Sequence, residues 1–175
     1  MLQLMLLRHA KSSWTDAGLA DADRPLNRRG KEAAKAMGNE MLARGLLPGL
    51  VLCSPAKRAR DTWKIVRGQL KSAPRTLVDE SIYDFGNGGR LLETIAAKGG
   101  TASSLLVVGH NPSLERLAAR LAVSGDAKLM ARMARKYPTA ALAVLRFDAG
   151  AWDGIAGLGA ELQHFLRPTD IFGKP

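Results

Sequence analysis

Three short apolar blocks constrain this chain more than any other feature: Leu2-Gln3-Leu4-Met5-Leu6-Leu7, Leu50-Val51-Leu52-Cys53 and Leu105-Leu106-Val107-Val108. Each is too short for a helix and almost free of polar residues, the pattern of a strand buried on both faces. Between them the apolar residues recur at three and four positions. Ala33, Ala34, Met37, Met41 and Leu42 make one face of a helix that Asn27 can cap and that Gly45 and Pro48 stop. Ala59, Trp63, Val66 and Leu70 make a second, with Ser54 as its cap and Pro55 at its first position. After Asn111-Pro112 the same grammar repeats, with Leu114, Leu117, Ala118 and Leu121 as the apolar face. Residues 75–78 read as a short strand, 90–97 as a helix, 140–147 as a longer strand and 161–166 as an edge strand. A turn at Asp148-Ala149-Gly150 folds the chain toward a segment around Trp152. Strands alternating with amphipathic helices specify an α/β fold, its largely parallel sheet covered on both faces and linked by right-handed crossovers. No linker or repeat interrupts the alternation, so one domain over residues 1–175 is expected.

Composition removes other classes. With 46% hydrophobic and 24% charged residues the chain is too apolar for disorder. Cys53 is the only cysteine, which excludes an intramolecular disulfide scaffold and a multi-cysteine zinc site. The apolar start gives way at once to Arg8, too soon for a signal-peptide core, and no later run approaches the ~20 residues of a membrane span. A cytoplasmic protein without membrane contact is expected. The net charge of +10 attracts phosphates or nucleic acid. The bases are dispersed, however, and aromatics are only 5%, so there is little material for base stacking. An ordinary basic surface is the better reading than a nucleic-acid groove.

In a parallel sheet ligands bind beyond the carboxyl ends of the strands, and three of the buried strands run directly into cationic or imidazole residues. The first ends in Arg8-His9, the second in Ser54-Pro55-Ala56-Lys57-Arg58, and the fourth in Gly109-His110-Asn111-Pro112. Two of the three histidines lie at this edge; His164 falls in the edge strand and reads as a surface or packing residue. Arg8, His9, Arg58 and His110 together suit a tetrahedral dianion. Two guanidinium groups grip phosphoryl oxygens by bidentate, charge-assisted hydrogen bonds. The helices after Ser54-Pro55 and His110 can aim backbone N–H groups at the same anion. A neutral imidazole can attack phosphorus, nearby positive charge keeps it neutral, and a second imidazole can donate to an equatorial oxygen.

These motifs carry a resemblance. Leu7-Arg8-His9-Ala10-Lys11 is similar to the Arg-His motif of the histidine phosphatase superfamily, which has the phosphoglycerate mutase-like fold. Ser54-Pro55-x-x-Arg58-Ala59-x-x-Thr62 resembles its second-arginine motif and Val107-Val108-Gly109-His110-Asn111 its second-histidine motif, while Arg24-Pro25-Leu26-Asn27-x-x-Gly30 matches the helix start between them. The small size and the opening Leu-Arg-His-Ala-Lys-Ser-Ser-Trp look most like the SixA-type phosphohistidine phosphatase branch. The resemblance implies a three-layer α/β/α sandwich with a mostly parallel, six-stranded mixed sheet. It implies His9 as nucleophile through a phosphohistidine intermediate, phosphate binding by Arg8, Arg58 and His110, and no metal or organic cofactor.

One departure bears on substrate. Many phosphomonoesterases of the superfamily carry a glutamate general acid after the third strand. Here that loop reads Asp79-Glu80-Ser81-Ile82-Tyr83-Asp84-Phe85-Gly86, so Asp84, slightly ahead of Glu80, is the candidate acid. An alkoxide leaving group needs such an acid, whereas a P–N bond needs it less. Without a large insertion to form a lid, the expected substrate is phosphohistidine on a protein, and a small phosphomonoester is the alternative. A monomer is favoured. Among the rivals, a mutase is disfavoured by the short chain and the absence of an evident second phosphate cradle. A cysteine-dependent phosphatase needs five residues between Cys and Arg, but four separate Cys53 from Arg58 and Ala59 occupies the required place. A non-catalytic phosphate or nucleic-acid binding module would have no use for a nucleophilic imidazole.

Overall fold

The structure, a computed structural model, describes residues 1–173. Its elements run β1 (Leu2–Arg8), α1 (Arg28–Ala43), β2 (Leu50–Cys53), α2 (Lys57–Leu70), β3 (Arg75–Val78), α3 (Gly89–Lys98), β4 (Ser104–Gly109), α4 (Ser113–Leu121), β5 (Ala122–Gly125), α5 (Ala127–Arg135), β6 (Leu142–Phe147), β7 (Ala160–Leu166) and α6 (Pro168–Ile171). One mixed sheet has the order β3-β2-β4-β1-β6-β7-β5. The four strands β3, β2, β4 and β1 are parallel, and β6 is antiparallel to both of its neighbours.

The apolar blocks are buried on both faces because helices cover both. Leu2, Leu4 and Leu6 pack with Leu91, Ile95, Leu114 and Leu117 of α3 and α4. Met5 and Leu7 face the other way, against Met37, Met41, Trp63 and Val66 of α1 and α2. Alternate residues of one strand thus feed two cores, the period-2 rule acting in a three-layer sandwich.

Several expectations need correction in detail. The sheet has seven strands rather than six. The seventh, β5, is four residues continuing α4 without a turn residue, and only Ala122 of it is buried, so it carries no apolar signature. Helix α5 buries only Met133 and starts at Asp126, whose side chain accepts from the Lys128 and Leu129 amides. The segment at Trp152, left without a conformation by the sequence, is a 3-10 turn over Trp152–Gly157; the indole is buried and donates to Ala102 O at 2.7 Å. Helix α2 is capped by Ala56 and not by Ser54, and α4 by Pro112, which therefore precedes the first helical residue.

Asn27 caps α1 as expected, accepting from Gly30 N–H at 2.8 Å, while its own N–H donates to Lys11 O at 3.0 Å. Gly30 is required here: a Cβ at this position would lie 2.1 Å from the Lys11 carbonyl oxygen. This contact brings the start of α1 against the segment that follows His9. Among the described residues no helix is long and apolar enough to cross a membrane.

Candidate active site

The site lies where β1, β2 and β4 end side by side. Register pairs Leu7 with Val108, Arg8 with Gly109, and Cys53 with Val108. Beyond the ladder, His9 N–H donates to Gly109 O and Ser54 N–H to Val108 O, each at 3.0 Å. Ala10 N–H donates to Thr62 Oγ1 at 2.9 Å, and that hydroxyl donates to Arg58 O at 2.6 Å. Thr62 therefore ties the first turn of α2 to the residue after His9.

The four residues singled out by the motifs are brought together. Arg58 is 3% exposed, with Nε 3.4 Å from His9 Nε2 and Nη2 3.4 Å from His110 Nδ1. The imidazole centroids are 5.1 Å apart. Arg8 donates through Nη1 to Tyr137 O at 2.9 Å, and its buried Nε has no acceptor among the described residues. All but His110 line one open cavity of about 470 Å³, over which Phe85 stacks on the His110 ring with centroids 5.0 Å apart.

The hydrogen bonds define which ring nitrogen does what. His9 Nδ1 lies 2.7 Å from Ala10 O. A carbonyl can only accept, so the proton sits on Nδ1 and the Nε2 lone pair faces the cavity. His110 Nε2 lies 2.7 Å from the Oγ of fully buried Ser54, which also accepts from Ala56 N–H at 3.2 Å. Ser54 Oγ and Arg58 Nη2 thus hold the two nitrogens of the His110 ring in place. The same contact occupies the Ala56 amide, so that group is not offered to an anion.

Burial, followed by the neighbouring Arg58 and Arg8 charges, pulls His9 down to about 4 against the hydrogen bond to Ala10 O. Burial, then His9 and Arg58, pulls His110 down to about 3. Both rings are neutral at physiological pH, as a nucleophile and a neutral donor require. Desolvation pushes the Cys53 thiol up to about 12, so it supplies no thiolate.

Sequence reasoning missed Asp21, which sits on the 3-10 turn Asp21–Asp23. Its Oδ2 accepts from Arg58 Nη2 at 2.9 Å and Tyr83 Oη at 2.5 Å, its Oδ1 from Arg24 at 2.9 Å, and its carbonyl from Arg58 Nη1 at 2.7 Å. Desolvation opposes ionisation, yet the hydrogen bonds from Tyr83 and Arg58 hold the carboxyl at about 2. Arg24 also donates to Ser12 and stacks 3.2 Å over the exposed Trp14 ring. Within Arg24-Pro25-Leu26-Asn27 the arginine was read only as part of a helix start. Its burial at 8% exposure, which a sequence does not display, marks its second role.

Asp84 is not brought into the cavity. Its carboxylate turns back to accept from Gly86 N–H at 3.3 Å, and its carbonyl accepts from Ser113 Oγ at 2.6 Å. Glu80 is exposed on the 3-10 turn Glu80–Ile82. His164 lies in β7, paired with Val144 and away from the cavity. Asp21 is the one carboxylate lining the site. Among the described residues no group of three or more His, Cys, Asp or Glu is arranged to hold a metal ion.

Comparison with known proteins now has a geometry to meet. The sequence profile of the histidine phosphatase superfamily (branch 1) matches residues 4–88. An uncharacterized protein of Mycobacterium tuberculosis is 40% identical over 164 residues, covering 93% of this chain and 99% of that one. An uncharacterized chloroplastic protein of Arabidopsis thaliana is 35% identical over 183 residues, 97% of this chain and 80% of that one. A structure from Nakamurella multipartitia, provisionally assigned as the phosphohistidine phosphatase SixA, superposes with a TM-score of 0.81 at 30% identity over 95% of this chain and 96% of that one. Its counterpart from Agrobacterium tumefaciens, also provisionally assigned, gives 0.77 at 30% identity over 95% and 99%. The family model covers the first two strand-end motifs and the two SixA-type structures match 95% of the chain at 30% identity, so the protein belongs to the histidine phosphatase superfamily, in its SixA-type branch.

Proposed function

We propose that this protein is a phosphatase that takes the phosphoryl group onto His9 and then transfers it to water, with protein phosphohistidine as substrate. The observation that carries the proposal is the convergence of two neutral imidazoles on one buried guanidinium, at 3.4 Å from each. In the first step the His9 Nε2 lone pair attacks phosphorus. The bond from phosphorus to the substrate imidazole nitrogen breaks, and the ring, already protonated on its other nitrogen, departs as neutral imidazole with that electron pair. Arg8 Nε, Arg58 and the His110 ring hold the three equatorial oxygens as charge grows on them. In the second step water attacks the phosphohistidine, releasing inorganic phosphate and restoring neutral His9. These steps use only water and side chains of this chain, within one catalytic domain.

The choice of phosphohistidine over a phosphomonoester rests on the acid inventory. Asp21, the carboxylate in the cavity, is held ionised, and Asp84 caps its own loop. An alkoxide would leave without a positioned proton donor, forfeiting ~10²–10⁴ in rate. An imidazole leaving from a P–N bond forfeits far less. The open cavity also suits a side chain presented by a protein.

The experiment is side-by-side turnover of a phosphohistidine-bearing protein, an aryl phosphate and a panel of alkyl phosphates. The phosphohistidine protein should give the highest kcat/KM, and His9→Ala should abolish every activity while leaving the fold intact. Wild-type rates from His9→Ala would refute the mechanism. Preference for an alkyl phosphate would move the assignment to the small-molecule alternative.

A further inference from the structure

A second cavity, of about 490 Å³, adjoins the first, and Lys11, Pro138 and Thr139 line both. It runs away from the phosphate site between the start of α1 and the C-terminal α6, past Arg29 and Pro168 to Phe172. Two observations describe what it would hold. It is lined by apolar surface, with Phe172 60% exposed, and by the cations Lys11 and Arg29; among the described residues no carboxylate lines it. Lys136 extends the positive charge at the rim of the first cavity. Among the described residues none of Lys11, Arg29 and Lys136 is in an ion pair. These charges are therefore not spent within the molecule.

We infer that this groove is a docking site for the polypeptide flanking the phosphorylated residue, and that it selects an acidic flank. The inference rests on the phosphoprotein reading of the site and adds a recognition rule to it. Continuity with the phosphate cavity through Lys11, Pro138 and Thr139 gives the direction in which the chain leaves His9. A small phosphate ester would fill only the first cavity. An extended segment carrying Asp or Glu would lay its backbone and aliphatic groups on Pro138 and Phe172 and its carboxylates against Lys11 and Arg29. The rim charges guide encounter and select partners.

The test uses two fluorescent phosphohistidine peptides, one with Asp/Glu flanks and one with Gly/Ser flanks. Binding is read by anisotropy on the non-hydrolysing His9→Ala protein, and aryl phosphate turnover is read separately on proteins that keep His9. The acidic peptide should bind about tenfold tighter than the neutral one. Arg29→Glu should erase that preference and leave aryl phosphate kcat/KM within twofold of the parent. Arg120→Glu makes the same charge change on exposed α4, in the opposite helix layer, and should shift binding by less than twofold. Equal binding of the two peptides, equal effects of the two reversals, or displacement by an uncharged-flank competitor as readily as by an acidic one would overturn the groove. Absence of aryl phosphate and phosphohistidine turnover in the wild type would instead sink the catalytic reading, while the binding data would still judge the groove.

Discussion

Replacing His9 by Gln gives a direct measure of how strongly the fold suppresses imidazole charge. His9 is held at about 4, against 6.5 for an ordinary histidine. At pH 5 an unperturbed ring would be ~97% protonated, whereas His9 would be ~90% neutral. The direction of the linkage follows. Between pH 6.5 and about 4 the unfolded chain binds a proton that the native protein refuses, so stability falls as pH falls through this window. Integrating from pH 7 to pH 5 gives a loss of ~2 kcal/mol from His9 alone. Urea unfolding of wild type and His9→Gln at both pH values measures it: the variant should lose ~2 kcal/mol less than the wild type. Histidine NMR on the folded protein provides the second reading, with the His9 resonance still unprotonated at pH 5. An identical pH dependence for the two proteins, or a His9 midpoint near 6.5, would refute the reasoning that burial beside Arg58 and Arg8 keeps the nucleophile free.

Ser54→Ala removes the hydroxyl that holds the His110 ring and should lower kcat for an aryl phosphate ~10-fold with little change in KM, since a lost buried hydrogen bond is worth ~1–3 kcal/mol. Gly30→Ala drives a Cβ against the Lys11 carbonyl and should destabilise by ~2 kcal/mol or more, lowering the melting temperature by ~4 °C or more in a scan. Iodoacetamide at neutral pH should leave activity intact and Cys53 unmodified by mass spectrometry, because the thiol is buried and held at about 12; inactivation through Cys53 would reopen a cysteine mechanism.

What could be read ahead of the structure followed the size of the physical signal. The unbroken blocks at Leu4–Leu7 and Leu105–Val108 announce strands covered on both faces, and their cationic ends locate the site, because burial leaves its mark on every residue. Strand β5 escaped since it buries one residue, leaving no alternation to detect, while the apolar face of α5 at Leu129, Met130 and Met133 was in the sequence but went unread. Ser54 was read as a helix cap because serine before proline fits that role; tertiary structure spends its hydroxyl on His110 instead. Asp21 lay in a polar stretch where nothing local distinguishes it from Asp16 or Asp23. Its partner Arg58 is 37 residues away, and only the folded chain introduces them.

The ladder bond of Arg8 to Gly109 makes His9 and His110 the next residues out on two neighbouring strands. Their 5.1 Å ring separation is therefore close to the ~4.8 Å that hydrogen bonding sets between any two adjacent strands. The spacing of the two imidazoles is inherited from backbone geometry and requires no loop to maintain it. The surrounding loops are free to be lengthened, recharged or exchanged to alter which phosphate arrives. A slip of one residue in β1 or β4 would turn one imidazole to the opposite side of the sheet and end the chemistry without unfolding the protein.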